Sequence, residues 1–412
     1  MSKKKLKKEN MKPNPIIWFV YTLGSKIVMS FKNKVIKGQN DFKKRNKKEG
    51  SLLIFNHNSN KDHFVSTIGL NYVRSAYVTS THFFFKKKLR IVLKLARTIP
   101  KEQFKSDIST IKKIKRAVEQ RIPVMIAPTG QITIHGEQLS IDHGIVKLIR
   151  MNKVDVYAFK IHGTYYAYPK WAKFRRKVPL YTDFIKILDK NDLPNLNDDQ
   201  IYKTVCDSIN VNDRLEQHIY NYKLKKEHLV EGLEDILYYC PKCNTKYEMI
   251  AKDDELKCNH CNNTIRMNEK GFLEGIGNGY RMFQNEAEWY KWEQRKLLQE
   301  INSGTFKLEE KFHLFHNATK KYELDDMGIV KLTLTKDRLF YEQEKDGNIL
   351  VKEFKLERVT QLPFEVRHHF DIPDDDGKFE FRLLEGDRGS KVTEFVQAIE
   401  VLALSRQNKE II

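Results

Sequence analysis

His57 and Asp62 stand five residues apart in Asn56-His57-Asn58-Ser59-Asn60-Lys61-Asp62-His63, a stretch whose side chains can move a proton. An imidazole oriented by a carboxylate is the pair a general base needs to strip a hydroxyl. On one continuous helix, positions five apart point roughly 140° away from each other at about 3.6 residues per turn. The pair therefore needs His57 in a turn and Asp62 in the first turn of a helix. The flanking residues supply that break. Leu52-Leu53-Ile54-Phe55 has the length and composition of a buried strand, and Phe64, Val65, Ile68 and Leu70 suit one face of a helix. Ser59 or Asn60 is available as the N-cap. A purely structural alternative stands beside this one: His57 ends the strand and Asp62 favours the helix start.

A second constellation is built from sulfur. Cys240-Pro241-Lys242-Cys243 and Cys258-Asn259-His260-Cys261 are two C-x2-C pairs with fourteen residues between them. That spacing can present four thiolates tetrahedrally, which suits zinc. With every position filled by Cys, no site stays open for water, so the expected metal is structural. His260 is expected to be a bystander, and Cys206, standing alone, a core residue.

The chain has 412 residues, of which 40% are apolar and 31% charged, with a formal net charge of +20. The length allows several domains with ample core. The charge calls for an anionic partner without choosing among nucleic acid, anionic lipid and phosphorylated substrate. Cysteine usage points to an intracellular metal site rather than a disulfide framework. No cleavable signal peptide is evident, and the expected location is peripheral, at the cytoplasmic face of a membrane.

Lys3, Lys4, Lys5, Lys7, Lys8 and Lys12 open the chain as a solvated tail. The apolar run from Pro15 to Ser30 would reach about 24 Å as a helix, short of a hydrocarbon core of roughly 30 Å. Ile16, Phe19, Val20, Leu23 and Ile27 fall on one face, with Thr22, Ser25 and Lys26 opposite. Such a helix either lies in an anionic membrane surface or packs on the protein itself. Phe83-Phe84-Phe85 beside Lys86-Lys87-Lys88 and Arg90 suits the same interface. No nucleic-acid motif accompanies these basic residues, so a nucleic-acid partner is not expected.

From about residue 36 to 225, strand-like runs (76–79, 123–127, 154–161) alternate with helical ones (Ile108, Ile111, Ile114, Val118), which predicts an α/β domain with a central, largely parallel or mixed sheet. Leu215 to Leu237 is expected to be helical and to lead into the cysteine pairs. Beyond about residue 275 come period-two runs (329–334, 338–342, 349–356, 378–383), with Asp346-Gly347 and Asp376-Gly377 as hairpin-turn signals. A final amphipathic helix carries Phe395, Val396, Ile399, Val401 and Leu402. His368 and His369 are expected at the surface. Strands closed by one helix resemble a pleckstrin-homology-like domain in architecture, which carries no function. The expected divisions are a basic tail with interfacial helix (1–35), the α/β domain (36–235), a zinc ribbon (236–270) and the β-rich domain (271–412).

The strand, Asn56 and His57-x4-Asp62 together resemble the H-x4-D motif of the glycerolipid acyltransferase family, the 1-acylglycerol-3-phosphate acyltransferases. The resemblance covers about residues 36 to 225. The family's second element, G-x-I-x-x-x-R, corresponds to Arg97-Thr98-Ile99-Pro100-Lys101-Glu102-Gln103, with Arg97 at the Gly and Gln103 at the Arg. The family Arg is thought to hold the acceptor phosphate; here Arg97, Lys101 or Lys105 could supply the cation, though Lys offers a point charge where Arg offers a fork. The third element, P-E-G-T/N-R-S, appears as Pro128-Thr129-Gly130-Gln131-Ile132-Thr133, so Thr129 and Ile132 replace its Glu and Arg. Gly130 still fits a tight turn beside a ligand. The fourth is a strand usually containing Pro, where this chain has Asp155. The resemblance implies direct acyl transfer from acyl-CoA or acyl-carrier protein to a lysophospholipid or related hydroxyl. His57 and Asp62 would be catalytic, and Arg97, Lys101, Gln103, Thr129 and Gly130 would bind substrate. The lost Glu and Arg support a rival reading, a catalytically idle lipid- or protein-binding descendant of the fold.

Overall fold

A computed structural model describes residues 9–31, 33–104, 107–277, 279–280, 282–317 and 322–407. Lys3 to Lys8 and Lys105 lie outside the described residues. The chain divides into two compact units: Met1–Ile132, Gln138–Thr164 and Pro179–Val211 in the first, Thr133–Glu137, Tyr165–Val178 and Asn212–Ile412 in the second. Residues 212–235, expected with the α/β domain, thus group with the cysteine pairs and the later sheet.

The first unit opens with helix α1 (Pro15–Ser30). Asn14 caps it by accepting from the Ile16 and Ile17 amides, and Pro15 occupies the first turn, where no donor is missed. Strands β1 (Val35–Asn40) and β2 (Leu52–Phe55), helix α2 (Asp62–Leu70), strand β3 (Ala76–Ser80), helix α3 (Lys87–Leu95), strand β4 (Ile99–Lys101), helix α4 (Ile108–Glu119), strand β5 (Val124–Ile126), helix α5 (Gly144–Asn152) and strands β6 (Val156–His162) and β7 (Leu180–Leu188) follow. They form a seven-stranded sheet in the order β1-β7-β6-β2-β5-β3-β4. Strands β6, β2, β5, β3 and β4 run parallel, and β7 pairs antiparallel with β6. The sheet is therefore mixed. Every side chain of β2 and β5 is buried, as expected of strands covered on both faces. Ile54, Ile126, Ala158, Ile114, Val118, Ile149 and Val205 share one core. Cys206 is only half-buried and packs at its margin. Asp155, where a Pro was the norm, accepts from the Lys190 amide and pairs with Lys186 at 2.9 Å.

Two helical stretches, α4 and 215–237, differ from the sequence expectation, while α1 keeps the expected faces and turns the apolar one outward. In α4, Ile114 and Val118 are buried but Ile108 and Ile111 are exposed. In α1, the buried residues are Trp18, Thr22, Ser25 and Met29, while Ile16, Phe19, Val20, Leu23 and Ile27 face outward. The Thr22 and Ser25 hydroxyls donate to the Trp18 and Tyr21 carbonyls, so their burial leaves no donor unmet. Within its own unit the apolar face of α1 is thus largely open, with Phe19 stacked on Tyr72 at 5.7 Å. The stretch 215–237 is not a helix. Only Gln217–Tyr220 winds before Asn221 turns left-handed (φ 45°), and Gly232 (φ 107°) bends the chain again before a short 3-10 turn at Leu233–Asp235. No helix among the described residues is long and apolar enough to cross a membrane.

The second unit contains two antiparallel sheets. Strands β8 (Met249–Lys252), β9 (Glu255–Cys258), β10 (Thr264–Met267) and β11 (Leu273–Gly275) form a four-stranded meander. Strands β12 (Lys307–His316), β13 (Asp325–Thr335), β14 (Leu339–Lys345), β15 (Asn348–Phe354), β16 (Phe364–Glu365), β17 (His369–Asp374) and β18 (Gly377–Leu383) form the other, in the order β15-β14-β13-β12-β18-β17-β16. Asp346-Gly347 turns β14 into β15 with both residues at positive φ, and Asp376-Gly377 turns β17 into β18. The helix Ser390–Arg406 inserts Phe395, Val396, Ile399 and Leu402 into the core lined by Phe312, Phe370 and Phe381. His368 is exposed and His369 half-buried.

Candidate active site

Strand β2 delivers the chain to the carboxyl-terminal edge of the parallel strands, where open α/β sheets gather ligands. Asn56 fixes the exit: its side chain donates to the Ile161 carbonyl and accepts from the Ile161 amide, both at 2.8 Å, tying the loop to β6. His57 follows, then a turn at Asn60-Lys61, and α2 begins at Asp62. Lys61, not Ser59 or Asn60, holds the N-cap position, and it makes no side-chain capping bond. The reason is Asp62 itself. Its Oδ2 accepts from the Asn58 and Ser59 amides, each at 2.9 Å, while the Ser59 hydroxyl accepts from the Lys61 amide. The carboxylate thus does a cap's work from inside the helix.

The same Oδ2 lies 2.9 Å from His57 Nδ1. Asp62 is fully buried and the His57 side chain is 25% exposed. That oxygen already accepts from two amides, so the geometry favours Nδ1 as the donor, with the lone pair on Nε2. Nε2 makes no hydrogen bond among the described residues. The edge of the Phe55 ring meets the imidazole at 5.8 Å between centroids, holding its orientation. A buried acid, an oriented ring and an unengaged basic nitrogen are the parts of a general base.

His63, six residues on, is a different kind of histidine. It packs at a tilt on Phe64 at 4.1 Å and stacks on Tyr21 at 6.4 Å. Burial, then the positive neighbours Lys61 and His57, push its imidazole down to about 4. It stays neutral where His57 would work.

Ile54 of β2 pairs with Ile126 of β5, so the loop after β5 leaves the sheet beside the His57 loop. Its turn is closed by the Gly130 amide on the Ala127 carbonyl at 3.2 Å. Gly130 has φ 72°, a backbone that favours glycine. The Thr129 hydroxyl donates to the Gln131 carbonyl, so this replacement for a carboxylate serves the turn. Gln103 reaches the same loop from the end of β4: its amide donates to the Gly130 carbonyl at 2.7 Å and its carbonyl accepts from Ser80 at 2.8 Å. Gln103 therefore braces the third element against β3, a job for a neutral side chain. Lys101 ends β4, half-buried, with Nζ donating to the Glu102 carbonyl, and burial lowers its pKa.

Arg97 stands apart. It precedes β4, whereas Gln103 follows it, and β4 runs parallel to β3, so Arg97 lies at the amino-terminal edge of the sheet and the others at the carboxyl-terminal edge. It lines a separate cavity with Lys12 and Arg74. The structure thus brings Gln103, Gly130 and Thr129 to the edge that holds His57 and Asp62, and leaves Arg97 out. The sequence reading named Asn56 only as a neighbour and did not single out Ser80. Asn56, a polar residue at the end of an apolar strand, was the one visible signal.

In the second unit, the four sulfurs of Cys240, Cys243, Cys258 and Cys261 lie within 4.8 Å of one another. Cys240 and Cys261 are 3.6 Å apart and Cys243 and Cys258 3.8 Å. Each pair sits on the same turn. The Asn244 amide donates to the Cys240 carbonyl and the Asn262 amide to the Cys258 carbonyl, with both asparagines left-handed (φ 59° and 58°). His260 is exposed and outside the cluster.

A family profile described as Acyltransferase matches residues 35–162. A solved structure, the 1-acyl-sn-glycerophosphate (LPA) acyltransferase PlsC from Thermotoga maritima, is similar at a TM-score of 0.41 and 13% identity, covering 49% of this chain and 79% of that one. No curated protein matches the chain. The matched span runs from β1 to the end of β6 and contains His57, Asp62, Gln103 and Gly130. Over residues 35–162, this chain matches the acyltransferase family.

Proposed function

We propose that the protein is a peripheral membrane O-acyltransferase that moves an acyl chain from a thioester donor, acyl-CoA or acyl-carrier protein, to a lysophospholipid or related alcohol. The observation that carries this reading is His57, held through Nδ1 by buried Asp62 while Nε2 stays unengaged. Nε2 takes the proton of the acceptor hydroxyl as its oxygen attacks the thioester carbonyl carbon. The imidazolium is stabilised by Asp62. When the tetrahedral adduct collapses, the C–S bond breaks and the proton passes from Nε2 to the departing thiolate, leaving ester and free thiol. No acyl-enzyme is needed. Gln103 and Gly130 lie at the same edge of the sheet as this nitrogen.

The outward apolar face of α1 supports membrane association. Ile16 is 71% exposed and Phe19 54%. Helix α3 adds exposed Ile91, Val92 and Leu95 beside Lys87, Lys88, Arg90 and Lys94, an arrangement that suits an anionic lipid surface. The four-cysteine cluster suits structural zinc: sulfurs about 2.3 Å from a tetrahedral ion would be about 3.8 Å apart, close to the spacing found. Zinc there would fix the two knuckle turns and take no part in transfer.

Incubation with labelled acyl-CoA or acyl-carrier protein and a panel of lysophospholipids, comparing wild type with His57→Ala, tests the reading. Labelled diacyl product from wild type alone supports it. Absence of product with every donor and acceptor favours the idle descendant, which the replacement of Glu and Arg by Thr129 and Ile132 supports.

A further inference from the structure

A cavity of about 210 Å³ lies where the segment before α1 passes the end of α3, and Lys12, Arg74 and Arg97 line it. The Asn14 amide donates to the Leu95 carbonyl at 3.0 Å, and Arg74 donates to the Pro13 carbonyl at 3.2 Å, so the walls are tied by backbone groups. No carboxylate lines the cavity, and none of the three cations has an ion-pair partner among the described residues. Three positive charges around one hollow repel one another and gain from an anion. Arg97 holds φ 53°, a conformation that glycine adopts freely and a long side chain adopts at a cost. The position keeps an arginine there nonetheless, with its side chain exposed at the cavity. Pro15, which opens α1, and Leu95 of α3 line the hollow, and the two helices carry exposed apolar side chains: Ile16 and Phe19 on α1, Ile91, Val92 and Leu95 on α3.

We propose that this cavity binds the head group of an anionic phospholipid, with Lys12, Arg74 and Arg97 on its phosphate and its acyl chains against the apolar faces of α1 and α3. The inference rests on the membrane reading given above, and it deepens that reading into a defined lipid site at the sheet edge opposite the candidate catalytic one. Arginine's planar fork suits phosphate oxygens, and the flanking apolar surface distinguishes a lipid from free phosphate. The bound lipid would fix how α1 and α3 lie on the surface.

Titration of the full chain with monomeric dihexanoylphosphatidylglycerol, below its aggregation concentration, tests the site. Wild type should bind saturably, and Lys12→Glu/Arg97→Glu should bind at least tenfold more weakly with its melting temperature retained. Lys112→Glu/Lys115→Glu, an equal charge change on the exposed face of α4, should bind as wild type does. Inorganic phosphate should bind at least tenfold more weakly than the lipid. Absence of saturable wild-type binding, equal weakening by both charge changes, or phosphate binding as tight as lipid would each overturn the proposal. Flotation with anionic vesicles separates the two readings: a chain that binds monomeric lipid in the cavity but does not float refutes the membrane reading alone.

Discussion

In the loop after β2, one carboxylate oxygen is saturated by two amides and an imidazole while the far nitrogen of that imidazole is left unengaged. In the cysteine cluster, four sulfurs lie within 4.8 Å of one another. Both clusters come from short turns. Their difference is completeness. A reactive centre keeps one valence open on an otherwise fixed group, whereas a structural centre closes them all.

Breaking each cluster should therefore give different symptoms. Removing the imidazole with His57→Ala should lower transfer by about 10²- to 10⁴-fold, the usual worth of a general base, with little change in melting temperature. Asp62→Asn should cost nearly as much, because an amide oxygen still accepts the two backbone donors but carries no charge to stabilise the His57 imidazolium. Cys258→Ser should do the reverse: metal content by atomic spectroscopy should fall from one zinc per chain toward none, and the melting temperature should drop by many degrees. An intact melt in the metal-free variant would show that the cluster is not a structural metal centre. Gln103→Ala frees Ser80 and the Gly130 carbonyl without touching the dyad, so it should raise KM by about threefold to tenfold and leave kcat nearly unchanged. A fall in kcat as large as that of His57→Ala would make Gln103 a partner in the chemistry. The smallest effect concerns His63. The unfolded chain takes up a proton near 6.5 and the folded chain only near 4, so stability should fall as pH drops through that window. His63→Gln should flatten this part of the stability–pH curve and leave the pH dependence of transfer unchanged.

The sequence made the dyad legible because a strand-like run, five intervening steps and a helix-like run leave few ways to place His57 and Asp62. It made the cysteine cluster legible because thiol spacing alone defines the knuckle. The hairpins at Asp346-Gly347 and Asp376-Gly377 were readable from turn chemistry. Strand β12 was not, since Glu309, Glu310 and Lys311 interrupt its period-two pattern, and its place in the sheet comes from pairing on both edges with β13 and β18. The apolar face of α1 was visible, but which face it turned inward was not. Burial went to Trp18, Thr22 and Ser25 because the hydroxyls bond to their own helix and Trp18 packs on Tyr77. Arg97 sits at motif spacing from Ile99, yet spacing along the chain does not reveal that a three-residue strand carries it to the opposite edge of the sheet.

The most direct test is the rate of labelled acyl transfer by wild type, Asp62→Asn and His57→Ala prepared side by side, each confirmed folded by its melt. Transfer by wild type, with both variants reduced by two or more orders of magnitude, is the predicted result. Equal rates for wild type and His57→Ala would contradict the account.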